Sequence, residues 1–160
     1  MAVEIRAATA TDVPVLLELV RALAEYEKLL DEVVATEEAL RETLFGERRY
    51  AEAIIAWQDD RALGFALYFH NYSTFLAKPG IYLEDLFVRP EHRGSGLGRK
   101  LLAAVAGIAV ERGCGRLEWA VLDWNAPAIA FYARLGARPL KEWIVNRVTG
   151  ETLRALAAKD

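Results

Sequence analysis

The sequence predicts an α/β domain, a mixed central sheet with helices on both faces. Three observations carry that expectation. Short runs rich in aliphatic and aromatic residues, such as residues 51–57 and 62–70, alternate with segments whose apolar residues recur at helical spacing. Polar and glycine-containing breaks, Gln58-Asp59-Asp60-Arg61 and Pro79-Gly80, separate them. A glycine-rich stretch from Arg93 to Gly98 then opens directly onto an apolar helical face.

At 160 residues the chain fits one domain spanning 1–160, and a 54% hydrophobic share is enough for a core. Residues 3–7 read as a short strand. Thr11 or Asp12 offers an N-cap, and Leu16, Leu19, Val20 and Leu23 follow at helical spacing, so a helix is expected to about Leu30. Thr36 caps a second, short helix near 37–45. Residues 51–57 and 62–70 read as a hairpin, and residues 81–88 as the next strand. Leu101, Leu102, Val105, Ile108 and Ala109 form the core stripe of a helix that Gly113 and Gly115 end. Residues 116–122 are expected as a strand and about 126–135 as a helix stopped near Gly136. A last strand over 141–148 and a terminal helix from Gly150 to Ala158 complete the order β-α-α-β-β-β-α-β-α-β-α.

The formal net charge of −3 gives no bulk positive field for nucleic acid. One cysteine, Cys114, excludes an internal disulfide and a zinc site built from cysteines, and His70 and His92 have no partner at metal or triad spacing. No metal is therefore expected. Cys114 has no identifiable base and reads as a passive thiol. The N-terminus lacks a signal-peptide apolar block, and no apolar run reaches the roughly 18–20 residues of a membrane span. A soluble cytoplasmic protein is the expectation.

The glycine stretch carries the chemistry. Amide N–H groups at a helix start lack intrahelical partners, and the macrodipole adds partial positive charge. Glycines at 94, 96 and 98 let the backbone approach a phosphate, and Arg93, Arg99 and Lys100 add full charges. A pyrophosphate-bearing cofactor is the natural ligand. No Gly-Lys-Ser/Thr closes the loop, so it is not a nucleotide P-loop. Arg99 stands where a dinucleotide fingerprint needs glycine.

Arg93-x-x-Gly96-x-Gly98 resembles the acetyl-CoA pyrophosphate loop of GNAT acetyltransferases. Leu83 to His92 resembles the strand that feeds that loop, and Trp124-Asn125-Ala126-Pro127-Ala128-Ile129-Ala130-Phe131-Tyr132 resembles the second cofactor-contact segment. Ala24-Glu25-Tyr26-Glu27 and Tyr82-Leu83-Glu84-Asp85 are similar to the diamine (spermidine/spermine) branch and to the related thialysine acetyltransferases. The resemblance spans nearly the whole chain. It implies the GNAT fold, with a mostly antiparallel sheet, and direct acetyl transfer from acetyl-CoA to a primary amine of a small cationic molecule. It also implies a homodimer.

What the resemblance implies can be set out by task. Cofactor contacts fall on Leu86, Phe87 and Val88, on Arg93, Gly94, Ser95, Gly96, Leu97, Gly98 and Arg99, and on Asn125, Pro127 and Ala128. Tyr132 stands at the general-acid position; a phenol with reference pKa near 10 is a neutral donor suited to a thiolate leaving group. Glu84 draws the amine proton, by way of water. Tyr26, Glu27, Asp85, Glu142 and Trp143 fall on substrate positions. Glu84 and Asp85 are adjacent, so in a regular strand only one faces the cleft, and a bulge would relax this. Lys141 sets a positive charge beside Glu142, a departure from the polyamine pattern. A protein or peptide N-acetyltransferase and a non-catalytic acyl-CoA-binding module remain the alternative readings.

Overall fold

The computed structural model describes residues 2–158, in two compact units that meet in sequence at Leu122 and Asp123. The first unit holds a five-stranded sheet in the order β1-β2-β3-β4-β5. Its strands are β1 (Glu4–Ala7), β2 (Glu52–Gln58), β3 (Arg61–Ser73), β4 (Lys78–Val88) and β5 (Leu117–Trp119). The first four pair antiparallel, and β5 joins β4 in parallel. The helices of this unit are α1 (Val13–Tyr26), α2 (Glu37–Phe45) and α3 (Leu97–Glu111).

Both faces of the sheet are covered. Phe65 and Phe87, directly paired across β3 and β4, pack with Leu16, Leu19 and Leu23 of α1 and Leu44 of α2. Phe65 is fully buried, and its truncation to alanine would cost about 3–5 kcal/mol. Residues 64, 66 and 68 alternate to the opposite face, where α3 lies against β2, β3 and β4. Gly64 permits that approach: a Cβ there would meet the Phe87 carbonyl oxygen at 2.4 Å and Leu101 of α3 at 3.4 Å.

The end of α1 and the span of β5 differ from expectation. α1 stops at Tyr26, four residues before Leu30. Lys28 takes the left-handed conformation (φ 63°), and the Leu29 N–H turns back to the Ala24 carbonyl at 2.8 Å. That wrap ends a helix as a glycine would, without glycine's signature in the sequence. β5 spans only Leu117–Trp119 of the expected 116–122, because its ladder with β4 ends at Leu83. β4 bulges at the next residue and leaves the pairing line.

The second unit contains α4 (Ala126–Arg134) and α5 (Gly150–Ala157). The expected strand over 141–148 is not formed: among the described residues no ladder includes it. Its Trp143, Ile144 and Val145 are exposed. β-branched and aromatic residues favour a strand only where a pleated neighbour covers them, so their run alone misled. The segment instead makes local bonds, from the Trp143 N–H to the Leu140 carbonyl and from the Asn146 amide to the Ile144 carbonyl.

Candidate active site

The site begins with a single irregularity in β4. Leu67 pairs with Asp85, but the next residue, Tyr68, pairs with Leu83, so Glu84 is an extra residue without a partner on β3. The bulge switches the strand's sides. Phe69 and Tyr82, Leu67 and Asp85, and Phe65 and Phe87 all fall on the α1 face, where a regular strand would have sent Asp85 away from Tyr82.

That switch sets Asp85 near two other carboxylates, Glu84 and Glu27. Asp85 has its pKa pushed up to about 7, first by burial and then by the nearby charges of Glu84 and Glu27. Glu27, the residue capping the end of α1, is also raised, by burial first and then by Glu84. Glu84 itself is exposed. The Tyr82 phenol is pushed up by burial and then by Glu84 and Glu118. Tyr82 was not singled out from the sequence as a site residue, although two-residue spacing from Glu84 in a strand was the available signal.

The same bulge frees one edge. Among the described residues β5 pairs only with Ile81, Tyr82 and Leu83, so there β4 from Glu84 to Val88 has a strand neighbour on the β3 side alone. Leu86, Phe87 and Val88 lie on this stretch, and Phe87 is at once a core residue.

After β4, a single turn (Pro90–His92) leads into the loop. Gly94 and Gly96 take positive φ of 80° and 84°, and Gly96 is the N-cap of α3. A side chain added at either would meet nothing within 4 Å, so their space is open and glycine is needed for the backbone conformation. The first bond of α3 runs from the Lys100 N–H to the Gly96 carbonyl at 3.1 Å, which leaves Leu97, Gly98 and Arg99 as its first-turn donors. Among the described residues no side chain caps this end, and no acidic residue lies in its first turn. Arg99 and Lys100 are exposed. These features fit a phosphate group. Ser95 is turned back instead, its hydroxyl donating to the His92 carbonyl at 2.6 Å.

Arg93 is not simply a free charge. Its Nε donates to the Val88 carbonyl at 2.9 Å, and its guanidinium carbon lies 4.3 Å from the Tyr26 ring centre and 5.5 Å from that of Phe87. It joins the end of α1, the end of β4 and the start of the loop.

In the second unit, the Asn125 side chain caps α4, its Oδ1 accepting from the Ala128 N–H at 3.3 Å, with Pro127 in the first turn. Asn125 is a buried polar residue, 7% exposed. Phe131 and Tyr132 follow on α4, with ring centres 5.4 Å apart at 51°. Glu142 and Trp143 lie in the exposed segment before α5, Trp143 being 75% exposed.

The profile of the Acetyltransferase (GNAT) family matches residues 17–137, from α1 through the bulged strand and the glycine loop to the end of α4. The chain belongs to the GNAT acetyltransferase family. A thialysine N-epsilon-acetyltransferase from Bos taurus is 44% identical over 168 residues, covering 98% of this chain and 98% of its own. An L-ornithine N5-acetyltransferase from Arabidopsis thaliana is 36% identical over 197 residues, covering 95% of this chain and 86% of its own. Among solved structures, an integron cassette protein from the mobile metagenome of V. cholerae superposes with a TM-score of 0.81 at 30% identity, covering 99% of both chains.

GNAT acetyltransferases use acetyl-CoA as co-substrate, and this chain is an N-acetyltransferase. The first unit brings together Tyr26, Glu27, Glu84, Asp85, Phe87, Val88 and Arg93. Asn125, Pro127, Ala128, Tyr132, Glu142 and Trp143 belong to the second. Among the described residues no group of three or more His, Cys, Asp or Glu is arranged to hold a metal ion. No helix among them is long and apolar enough to cross a membrane.

Proposed function

We propose that this GNAT enzyme transfers the acetyl group of acetyl-CoA directly to a primary amine of a small cationic molecule, a diamine, polyamine or lysine analogue such as thialysine. The observation that carries the reading is the bulge at Glu84, which gathers Glu84, Asp85 and Glu27 beside a strand stretch open on one edge. Grouped carboxylates attract a cation and accept its proton. The activities for which the Bos taurus and Arabidopsis thaliana relatives are named, both on a side-chain amine of a small amino acid, support the same substrate class.

The co-substrate supplies an activated acyl carbon. The first-turn N–H groups of α3, with Gly94, Gly96 and the cations Arg99 and Lys100, hold its diphosphate. The open edge of Leu86 to Val88 offers backbone partners to the pantetheine amides and an N–H to the developing oxyanion. Glu84 takes the proton of the incoming ammonium by way of water, and Asp85, half ionised near neutral pH, positions the cation. The Tyr132 hydroxyl returns a proton to the departing sulfur. Tyr26, Glu27, Glu142 and Trp143 position the amine. The family profile crosses the boundary between the two units, which supports their working as one acetyltransferase domain. A cytoplasmic homodimer that needs no nucleic acid, membrane or metal completes the reading.

A competition assay tests it. Purified protein with acetyl-CoA is offered thialysine, ornithine, putrescine, spermidine and an N-terminal peptide together. Acetylation of the free amines with little on the peptide is expected. Acetylation of the peptide alone would overturn the substrate class.

A further inference from the structure

We propose that Arg93 is a positioning residue that couples the amine end of the site to the nucleotide loop, by making the loop's conformation depend on Tyr26 at the end of α1. This rests on the acetyltransferase reading above and adds a connection between its two binding regions.

The loop has little stiffness of its own. Two of the three residues between Arg93 and Leu97 are glycines at positive φ, and the third, Ser95, is held by one bond to the His92 carbonyl. Its far end is fixed by Leu97, buried at the start of α3, so its near end depends on Arg93. The Arg93 backbone N–H bonds within the preceding turn, to the Pro90 carbonyl at 3.2 Å. Its side chain does the long-range work, with Nε on the Val88 carbonyl and the guanidinium between the Phe87 and Tyr26 rings.

The three contacts are unequal in what they can transmit. Phe87 is a core residue and Val88 is buried, so both are fixed points. Tyr26 is 37% exposed and is the last residue of α1. The next residue, Glu27, belongs to the carboxylate group that meets the amine. The turn beyond holds Lys28 in the left-handed region, a conformation a lysine adopts at a cost. An amine that engages Glu27 thus acts on a turn whose aromatic ring also anchors the loop. By linkage, any factor by which the amine side tightens coenzyme binding is returned in full by the coenzyme to the amine.

The test uses coenzyme A as the probe, with calorimetry and with amide hydrogen exchange of the ligand-free chain. Tyr26→Leu removes the ring, Tyr26→Phe keeps it, and Arg93→Gln removes the cation. We expect coenzyme A to bind Y26L and R93Q each about fivefold more weakly than wild type, and Y26F within about twofold. The Y26L/R93Q double variant should bind no more weakly than R93Q alone, the mark of one shared interaction. Without any ligand, amides 94–98 should exchange faster in Y26L while core amides of β2 and β3 stay protected. Wild-type affinity and exchange in Y26L, or losses that add in the double variant, would overturn the proposal alone. Failure of the wild type to bind coenzyme A would overturn the acetyltransferase reading and this inference with it.

Discussion

At the scale of residues, Asp85 is the most informative group. Its carboxyl is raised to about 7 by burial and by its neighbours Glu84 and Glu27, against a reference near 3.9 in an unfolded chain. Between those values the native state binds more protons than the unfolded state, so this group's contribution to stability falls as pH rises from about 4 to about 7. Asp85→Asn should melt about 2–4 °C above wild type at pH 8, with the difference closing toward pH 4, in thermal unfolding followed by circular dichroism. On the proposed function the same ionisation governs activity. kcat/KM should fall below pH about 7, and Glu27→Gln, by removing one of the like charges, should move that inflection to lower pH. Tyr132→Phe should lower kcat by about a hundredfold or more while leaving the affinity for coenzyme A intact. Unchanged turnover would remove the phenol from proton transfer. The sequence named Glu84, Asp85 and Glu27 together, but which carboxyl is buried depends on the side of the sheet it occupies. That side was decided by the bulge, which no residue type announces.

At the scale of elements, the α3 N-terminus carries the cofactor argument. Gly96 has φ of 84° with open space around its Cα, so Gly96→Ala costs backbone strain alone, about 1–2 kcal/mol. That variant should unfold earlier and bind coenzyme A more weakly, whereas Thr36→Ala should lose about 1 kcal/mol of stability with coenzyme binding unchanged. In Thr36→Ala only the α2 cap is removed, an oxygen that accepts from the Ala39 N–H at 3.1 Å. A coenzyme affinity equal to wild type in Gly96→Ala would contradict the loop's role. Helices and the long hairpin were legible because apolar spacing, cap residues and glycine stops mark them directly. The left-handed Lys28, the short β5 and the unformed strand at 141–148 were not. The first two are set by what lies beside the segment in space, a wrap onto the Ala24 carbonyl and a ladder ended by a neighbour's bulge; the run over 141–148 joins no ladder among the described residues and makes local bonds instead. Arg93 shows the same limit, since its position in the motif was legible and its stacking on Tyr26 was not.

At the scale of the whole molecule, a net charge of −3 gives an anionic coenzyme no bulk attraction, so the proposed coenzyme site rests on local geometry. The exposed run of Trp143, Ile144 and Val145 is in keeping with a surface that a second copy covers, and light scattering should return twice the mass of one chain. A mass matching one chain would contradict the dimer. On the proposed function every step waits on the α3 start securing the acyl donor. Calorimetric titration of the purified chain with coenzyme A at low and high salt tests that step most directly. Binding should saturate at one coenzyme per chain and weaken as salt screens Arg99, Lys100 and the helix end. A titration without saturation at either salt concentration would contradict it.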